Sequence, residues 1–319
     1  MRRSPATAAI ALACGLALAA CSQVDVPERL SGPVSSTTTT AAPAPPPPDC
    51  GDPVASLRPT GAATANVPAG SYMAEIKERG RLRVGVDVST LLFSSVDPFT
   101  GEFEGFDIDI AREVAGALFG DPSRVELVAI PYSERLNVLI DGTVDLVSDT
   151  FTINCRRREQ IAFSSQYFSS GQRLLVKSDS TATTVEELGP DARVCAARGS
   201  TSIDNLNALP EPHPEAVPVD TQTDCLVLLQ QGLVDAISTD DTILAGMAAQ
   251  DPNLSIVGPA FSAEPYGLGL PKDQTEWVRY VNAVLEQVRS SGRWSALYER
   301  WLADVLGPDP GPPQAVYSD

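Results

Sequence analysis

The middle of the chain alternates between two hydrophobic rhythms. "RLRVGVDV" (81–88) is a short β-branched run that predicts a strand. "GFDIDIAREVAGALFG" (105–120) has apolar residues at helical spacing and stops at a glycine. "RVELVAI" predicts a strand, "SERLNVLIDG" a short helix with Ser133 as its N-cap, and "TVDLVSD" a further strand. After "QRLLVKS" (172–178) a second series begins. It runs through the strand "ARVCAA", a helix opening at "STSIDNLNAL", then "AVPVD", the helix "TDCLVLLQQG", the strand "VDAIS" and the helix "DDTILAGMAAQ". "PYGLGLP" predicts another strand, and two helices, "QTEWVRYVNAVLEQVRSSG" and "RWSALYERWLADVL", end the folded part. Alternating strands and helices predict a mostly parallel sheet flanked by helices, and two such series predict two α/β lobes. Ligands of open α/β sheets sit at the carboxyl ends of the strands, so the cleft between the lobes is the expected site.

The ends of the chain lack this rhythm. Arg2 and Arg3 precede an Ala/Leu-rich stretch over 5–20, too short for a membrane span and laid out as a secretory signal. It ends in "LAAC", which resembles a bacterial lipobox. That likeness implies cleavage after residue 20 and diacylation of Cys21; the alternative is an ordinary signal with an incidental cysteine. Residues 21–70, with Thr37 to Thr40 and Pro45 to Pro48, read as a flexible tether, and 310–319 as a structureless tail.

Composition narrows the function. With 23 basic and 41 acidic residues the net charge is −18, which argues against nucleic acid as a partner. Beyond Cys14 in the signal and Cys21, four cysteines remain: Cys50, Cys155, Cys195 and Cys225. An even number in an exported chain favours two disulfides, and three connectivities fit. No Cys-x-x-Cys spacing occurs and His213 is the single histidine, so neither a metal nor another cofactor is expected.

The order of motifs carries a resemblance. "LRVGVDV", "FTGEFEGFDIDIAREVA", "LIDGTVDLVSDTFTINCRRREQIAFSSQYF" and "LLQQGLVDAISTDDTILAG" are similar, in that order, to landmarks of solute-binding family 3, the polar amino-acid-binding proteins of ABC importers. Within it they most resemble actinobacterial glutamate/glutamine-binding lipoproteins. The resemblance covers about residues 75–305. It implies the type II periplasmic-binding-protein fold: lobe 1 from 71–174 plus 264–319, lobe 2 from 175–263, and a two-strand hinge near 172–176 and 266–270. A bridge between lobes would block opening, so this division pairs Cys195 with Cys225 and leaves Cys50 for Cys155.

The chemistry of an amino-acid site can be matched to residues. A carboxylate in a dry cleft favours the planar fork of arginine. By the family's spacing, Arg157 is the carboxylate clamp, five residues after Thr152, with Thr150 on the same face. Arg156 and Arg158 read as solvated neighbours. Thr201 and Ser200, opening a helix after a strand, are implied on the α-carboxylate, and Asp240 on the ammonium. Arg135 stands where acidic-amino-acid binders carry an arginine for the side-chain carboxylate, and Arg198 is a further candidate for that pocket. Asp87 matches an acid used by glutamine and basic-amino-acid binders, which leaves acid against amide open. Phe93 and Phe106 are candidates to wall the cleft.

The expectation is a monomeric, lipid-anchored protein at the extracytoplasmic face of the cell membrane. It would bind an L-amino acid and dock on an ABC permease. A membrane sensor as the partner would use the same site. An enzyme on this fold, a dehydratase or a lyase, is disfavoured by the lone histidine in a proline-rich loop.

Overall fold

The computed structural model describes residues 48–319. The expected signal, Cys21 and the tether as far as residue 47 lie outside the described residues. Helix α1 (Tyr72–Arg79) leads into strand β1 (Leu82–Val86). A small three-stranded sheet follows, β2 (Ser89–Thr90), β3 (Ser94–Val96) and β4 (Phe103–Glu104), before α2 (Phe106–Phe119) and β5 (Val125–Ala129). A 3-10 turn (Tyr132–Glu134), α3 (Asn137–Ile140), β6 (Leu146–Val147), α4 (Cys155–Arg158) and β7 (Ala162–Phe163) complete the first pass. The second pass holds β8 (Phe168–Lys177), α5 (Val185–Leu188), β9 (Arg193–Ala197), α6 (Thr201–Asn207), β10 (Glu215–Val219), α7 (Gln222–Gln230), β11 (Ala236–Asp240) and α8 (Asp241–Gln250). Then β12 (Leu254–Tyr266) returns to β13 (Gly269–Leu270), and α9 (Thr275–Ser290), α10 (Arg293–Trp301) and α11 (Ala303–Leu306) close the fold.

Two five-stranded sheets result, in the orders β5-β1-β6-β13-β7 and β10-β9-β11-β8-β12. Each is mixed rather than mostly parallel. β1 lies parallel to β5 and β6, and β9 parallel to β10 and β11. β13, β8 and β12 run antiparallel to their neighbours, because the chain must cross between sheets and come back. β8 and β12 pair from Lys177↔Leu254 to Phe168↔Tyr266, and Tyr266 also bridges Thr152. The alternation of apolar residues did not predict the long β12, which carries a register shift between Val257 and Ser262.

Burial follows the helical and strand periods. In α2, Phe106, Ile110, Ala111, Val114, Ala115 and Leu118 face the core, as do Trp277, Val281, Val284 and Val288 in α9. α2 starts at Gly105 (φ 130°), where a Cβ would sit 2.2 Å from the Phe93 carbonyl oxygen, so only glycine admits this entry. Phe93 and Phe106 are fully buried against Phe168. They belong to the core of the first lobe rather than to a cleft wall, because the tight Gly105 entry turns both rings inward.

Both chain ends are docked where the sequence predicts looseness. Ser56 forms a parallel bridge with Tyr317 and donates to the Phe163 carbonyl at 2.8 Å. Asn282 donates to Ser56 Oγ at 2.9 Å and to the Leu57 carbonyl at 2.7 Å. Arg289 donates to the Pro313 carbonyl, and Tyr317 to Glu286. Residues 310–319 are therefore attached to the body, and so is the end of the tether. Neither segment has apolar periodicity, because each is held mainly by backbone and polar partners.

Disulfides join Cys50 to Cys155, S–S 1.98 Å, and Cys195 to Cys225, S–S 2.01 Å.

Candidate functional site

The loops at the carboxyl ends of β1, β5 and β6 face the start of α6 and the end of β11 across the cleft. Asn154 caps α4 by accepting from the Arg157 amide, and this fixes the direction of the short helix that carries the clamp. Arg157 donates from Nη1 to its own loop, at the Thr152 carbonyl (2.6 Å), and from Nη2 across the cleft to the Gly199 carbonyl (3.2 Å). Arg135 donates to the carbonyls of Tyr132 (3.0 Å), Asp149 (3.0 Å) and the same Gly199 (3.1 Å). Arg135 is 2% exposed and Arg157 7%. Both guanidiniums stack on Phe151, 4.6 and 4.7 Å from its centroid, and Arg135 also on Tyr132 at 4.2 Å. Burial, with the Arg135 charge beside it, lowers the Arg157 pKa to about 9. Two buried guanidiniums share one carbonyl, and the N–H donors they leave unused suit an anionic group.

A polar chain lies beside them. Asp87 accepts from the Ser89 amide and from the hydroxyls of Ser89 and Thr90, each at 2.8 Å. Thr90 contacts the Tyr132 hydroxyl at 2.8 Å, which contacts Thr150 Oγ1 at 3.1 Å. Thr150 has φ 39°, and its amide donates to Asp107 at 2.7 Å. From the second lobe, Thr201 donates to Glu264 at 2.7 Å and lies 3.5 Å from Thr152 Oγ1. Asp240, the last residue of β11, accepts from the Tyr266 hydroxyl at 2.6 Å. Burial, reinforced by the Glu264 charge, raises the Asp240 pKa to about 8, and burial raises that of Asp107 to about 7. Among the described residues no group of three or more His, Cys, Asp or Glu is arranged to hold a metal ion.

The structure thus brings Arg157, Arg135, Thr150, Thr152, Thr201 and Asp87 into or beside one cleft, with Asp240 behind Tyr266 at its edge. Ser200 is buried but turned inward, donating to Ala197 and capping α6 through the Ile203 amide. Arg198 is corrected: it is exposed and pairs with Asp220 (3.3 Å) and the Pro218 carbonyl, outside the cleft, because it sits one residue before the Gly199 turn that redirects the chain inward. Arg158 is corrected as well. It is no solvated neighbour, since it reaches the carbonyls of Pro53 and Ala55 and pins the docked end of the tether. Arg156 is exposed. Sequence reasoning missed Tyr132, Phe151, Asp149 and the Gly199 carbonyl. The aromatic between Thr150 and Thr152 and the tyrosine three residues before Arg135 were the available signals.

Two α/β lobes joined by paired crossing strands, with guanidiniums and hydroxyls facing each other across the gap, define a binding protein of the type II periplasmic class. The sequence signature of the bacterial extracellular solute-binding proteins, family 3, matches residues 82–304, and the chain belongs to that family. It is 36% identical over 234 residues to the ABC transporter glutamine-binding protein of Bacillus subtilis (strain 168), covering 73% of this chain and 85% of that one. It is 33% identical over 216 residues to the glutamate-binding protein of Corynebacterium efficiens, covering 64% and 72%. The solved solute receptor for L-cysteine of Neisseria gonorrhoeae matches with a TM-score of 0.70 at 28% identity, covering 74% of this chain and 95% of that one. The family is one of solute-binding proteins, and the chain is one of these rather than an enzyme.

Proposed function

We propose that the protein captures an L-amino acid in the interlobe cleft, glutamate or aspartate and also their amides, and delivers it to an ABC permease. A lipid on Cys21 would hold the monomer at the extracytoplasmic face of the membrane. The observation that carries the reading is the pair of buried guanidiniums meeting at the Gly199 carbonyl. A guanidinium has five N–H donors. Arg157 spends two on protein carbonyls and Arg135 three, so both retain donors for a ligand. Arg157, with Thr152 and Thr201, holds the α-carboxylate in this scheme. Asp240 receives the ammonium, and Arg135 meets the side-chain end. Closure expels water, so each charged contact gains strength. Delivery follows if the closed form alone docks on the permease, since the ligand then biases a two-state element.

The relatives from Bacillus subtilis and Corynebacterium efficiens, named for glutamine and glutamate, support both ends of this range. The test is calorimetry against the twenty amino acids. Heat with glutamate, aspartate, glutamine or asparagine is expected, and heat only with sugars, peptides or metal ions would sink the reading. Mass spectrometry of the membrane-extracted protein should show a diacyl adduct on an N-terminal Cys21.

A further inference from the structure

Asp149 lies two residues beyond β6, beside Arg135. Its side chain is fully buried, and neither carboxylate oxygen has a hydrogen-bond partner among the described residues. The neighbouring buried acids are served differently. Asp87 accepts three hydrogen bonds, and Asp107 accepts from Tyr167 and the Thr150 amide. A buried carboxylate without a donor is rare enough to need an explanation. Burial raises its proton affinity well above the usual carboxylate range; Arg135 opposes this, while the charges of Asp87 and Asp107 add to it. Arg135 also donates to the Asp149 main-chain carbonyl at 3.0 Å, so an arginine with unused donors and an acid with unused acceptors occupy one spot.

A free amino acid offers two places for polar contacts. The α-carboxylate and ammonium have their partners in Arg157 and Asp240 under the proposed function, on which this inference rests. The remaining groups belong to the side chain. A carboxamide presents one acceptor oxygen and one donor nitrogen side by side, and a carboxylate presents acceptors only. We propose that Asp149 is a specificity-determining residue that accepts a hydrogen bond from a ligand carboxamide whose oxygen is held by Arg135, so that amide side chains bind tighter than acidic ones. Arg135 alone suits either side chain. Asp149 supplies the acceptor that completes an amide, whereas a ligand carboxylate brings no N–H to it.

The test is calorimetry of the full chain with glutamine, asparagine, glutamate and aspartate, using wild type, Asp149→Asn and Asp149→Ser. The wild type should favour amides over acids by about tenfold or more, the usual scale of a matched buried hydrogen bond. Both variants should move the acid-to-amide ratio toward acids by about tenfold. Asparagine keeps the volume of the side chain, and unliganded melting curves report folding. A ratio within twofold of wild type in folded variants, or equal losses for all four ligands, would overturn the role of Asp149 and leave amino-acid binding standing. A wild type that favours acids would do the same. Absence of heat with all four ligands and wild type would remove the amino-acid reading itself.

Discussion

Replacing Gly199 by alanine isolates the contact between the lobes. Gly199 has φ 78°, and a Cβ there would fall 2.6 Å from Ser133 Cα and 2.9 Å from Ser133 N. Carbon atoms settle at about 3.5–4.0 Å, so the lobes would have to separate by roughly 1 Å. The obstacle is backbone, and no rotamer relieves it. The guanidinium bonds to the Gly199 carbonyl, now 3.1 and 3.2 Å, would then stretch beyond hydrogen-bonding range. Each charge-assisted bond contributes about 1.5–3 kcal/mol. A left-handed alanine costs a further 1–2 kcal/mol or so, but it does so with the cleft open or closed. The two effects separate experimentally. The backbone cost appears in the melting temperature without ligand, and the cleft cost in affinity. A loss of about 3 kcal/mol in the closed form corresponds to roughly 100-fold weaker binding. Calorimetry with glutamine and glutamate, beside thermal unfolding of the unliganded protein, measures both. Binding within threefold of wild type would refute the reasoning, because it would mean that the ligated cleft does not bring Gly199 against Ser133.

Further outcomes follow from the same geometry. Arg157→Lys should lose about tenfold or more in affinity for every amino acid bound, since an ammonium cannot reach the Thr152 and Gly199 carbonyls while stacking on Phe151; calorimetry checks this. Asp240 and Asp107 have pKa values raised to about 8 and about 7, so between pH 4 and those values the folded state holds protons that the unfolded state releases. Stability of the unliganded protein should therefore fall as pH rises from about 5 to 8, and Asp240→Asn should flatten that slope in urea titrations. Removing Cys195–Cys225, whose cysteines are 30 residues apart and fully buried, should cost about 4 kcal/mol of unfolding free energy by the chain-entropy argument, read from denaturant midpoints. Deleting residues 313–319 should lower the melting temperature and free the 54–58 segment for proteolysis; an unchanged melting curve would contradict the docking of both ends.

The candidate site was legible where chemistry is local and periodic. The family resemblance, through its spacing of five residues from Thr152, implied the middle of three arginines in "SDTFTINCRRRE", and the structure buries Arg157 while Arg156 is exposed and Arg158 faces the tether. Strand periodicity says nothing of the turn at Gly199, which sends the Arg198 side chain outward to Asp220 and the Gly199 carbonyl toward Arg157. An aspartate after a strand is usually solvated, and only the tertiary structure buries the Asp149 side chain with neither oxygen partnered.

The chain's own pattern of strands, helices and motifs was enough to determine two α/β lobes and membership of a solute-binding family, because hydrophobic period and turn residues act over a few neighbours. The tertiary structure alone decided which backbone carbonyl two arginines share, which acid is left without a donor, and how both chain ends are held. Those facts depend on groups far apart in sequence, from Ser56 against Tyr317 to Arg135 against Gly199, and no local rule places them.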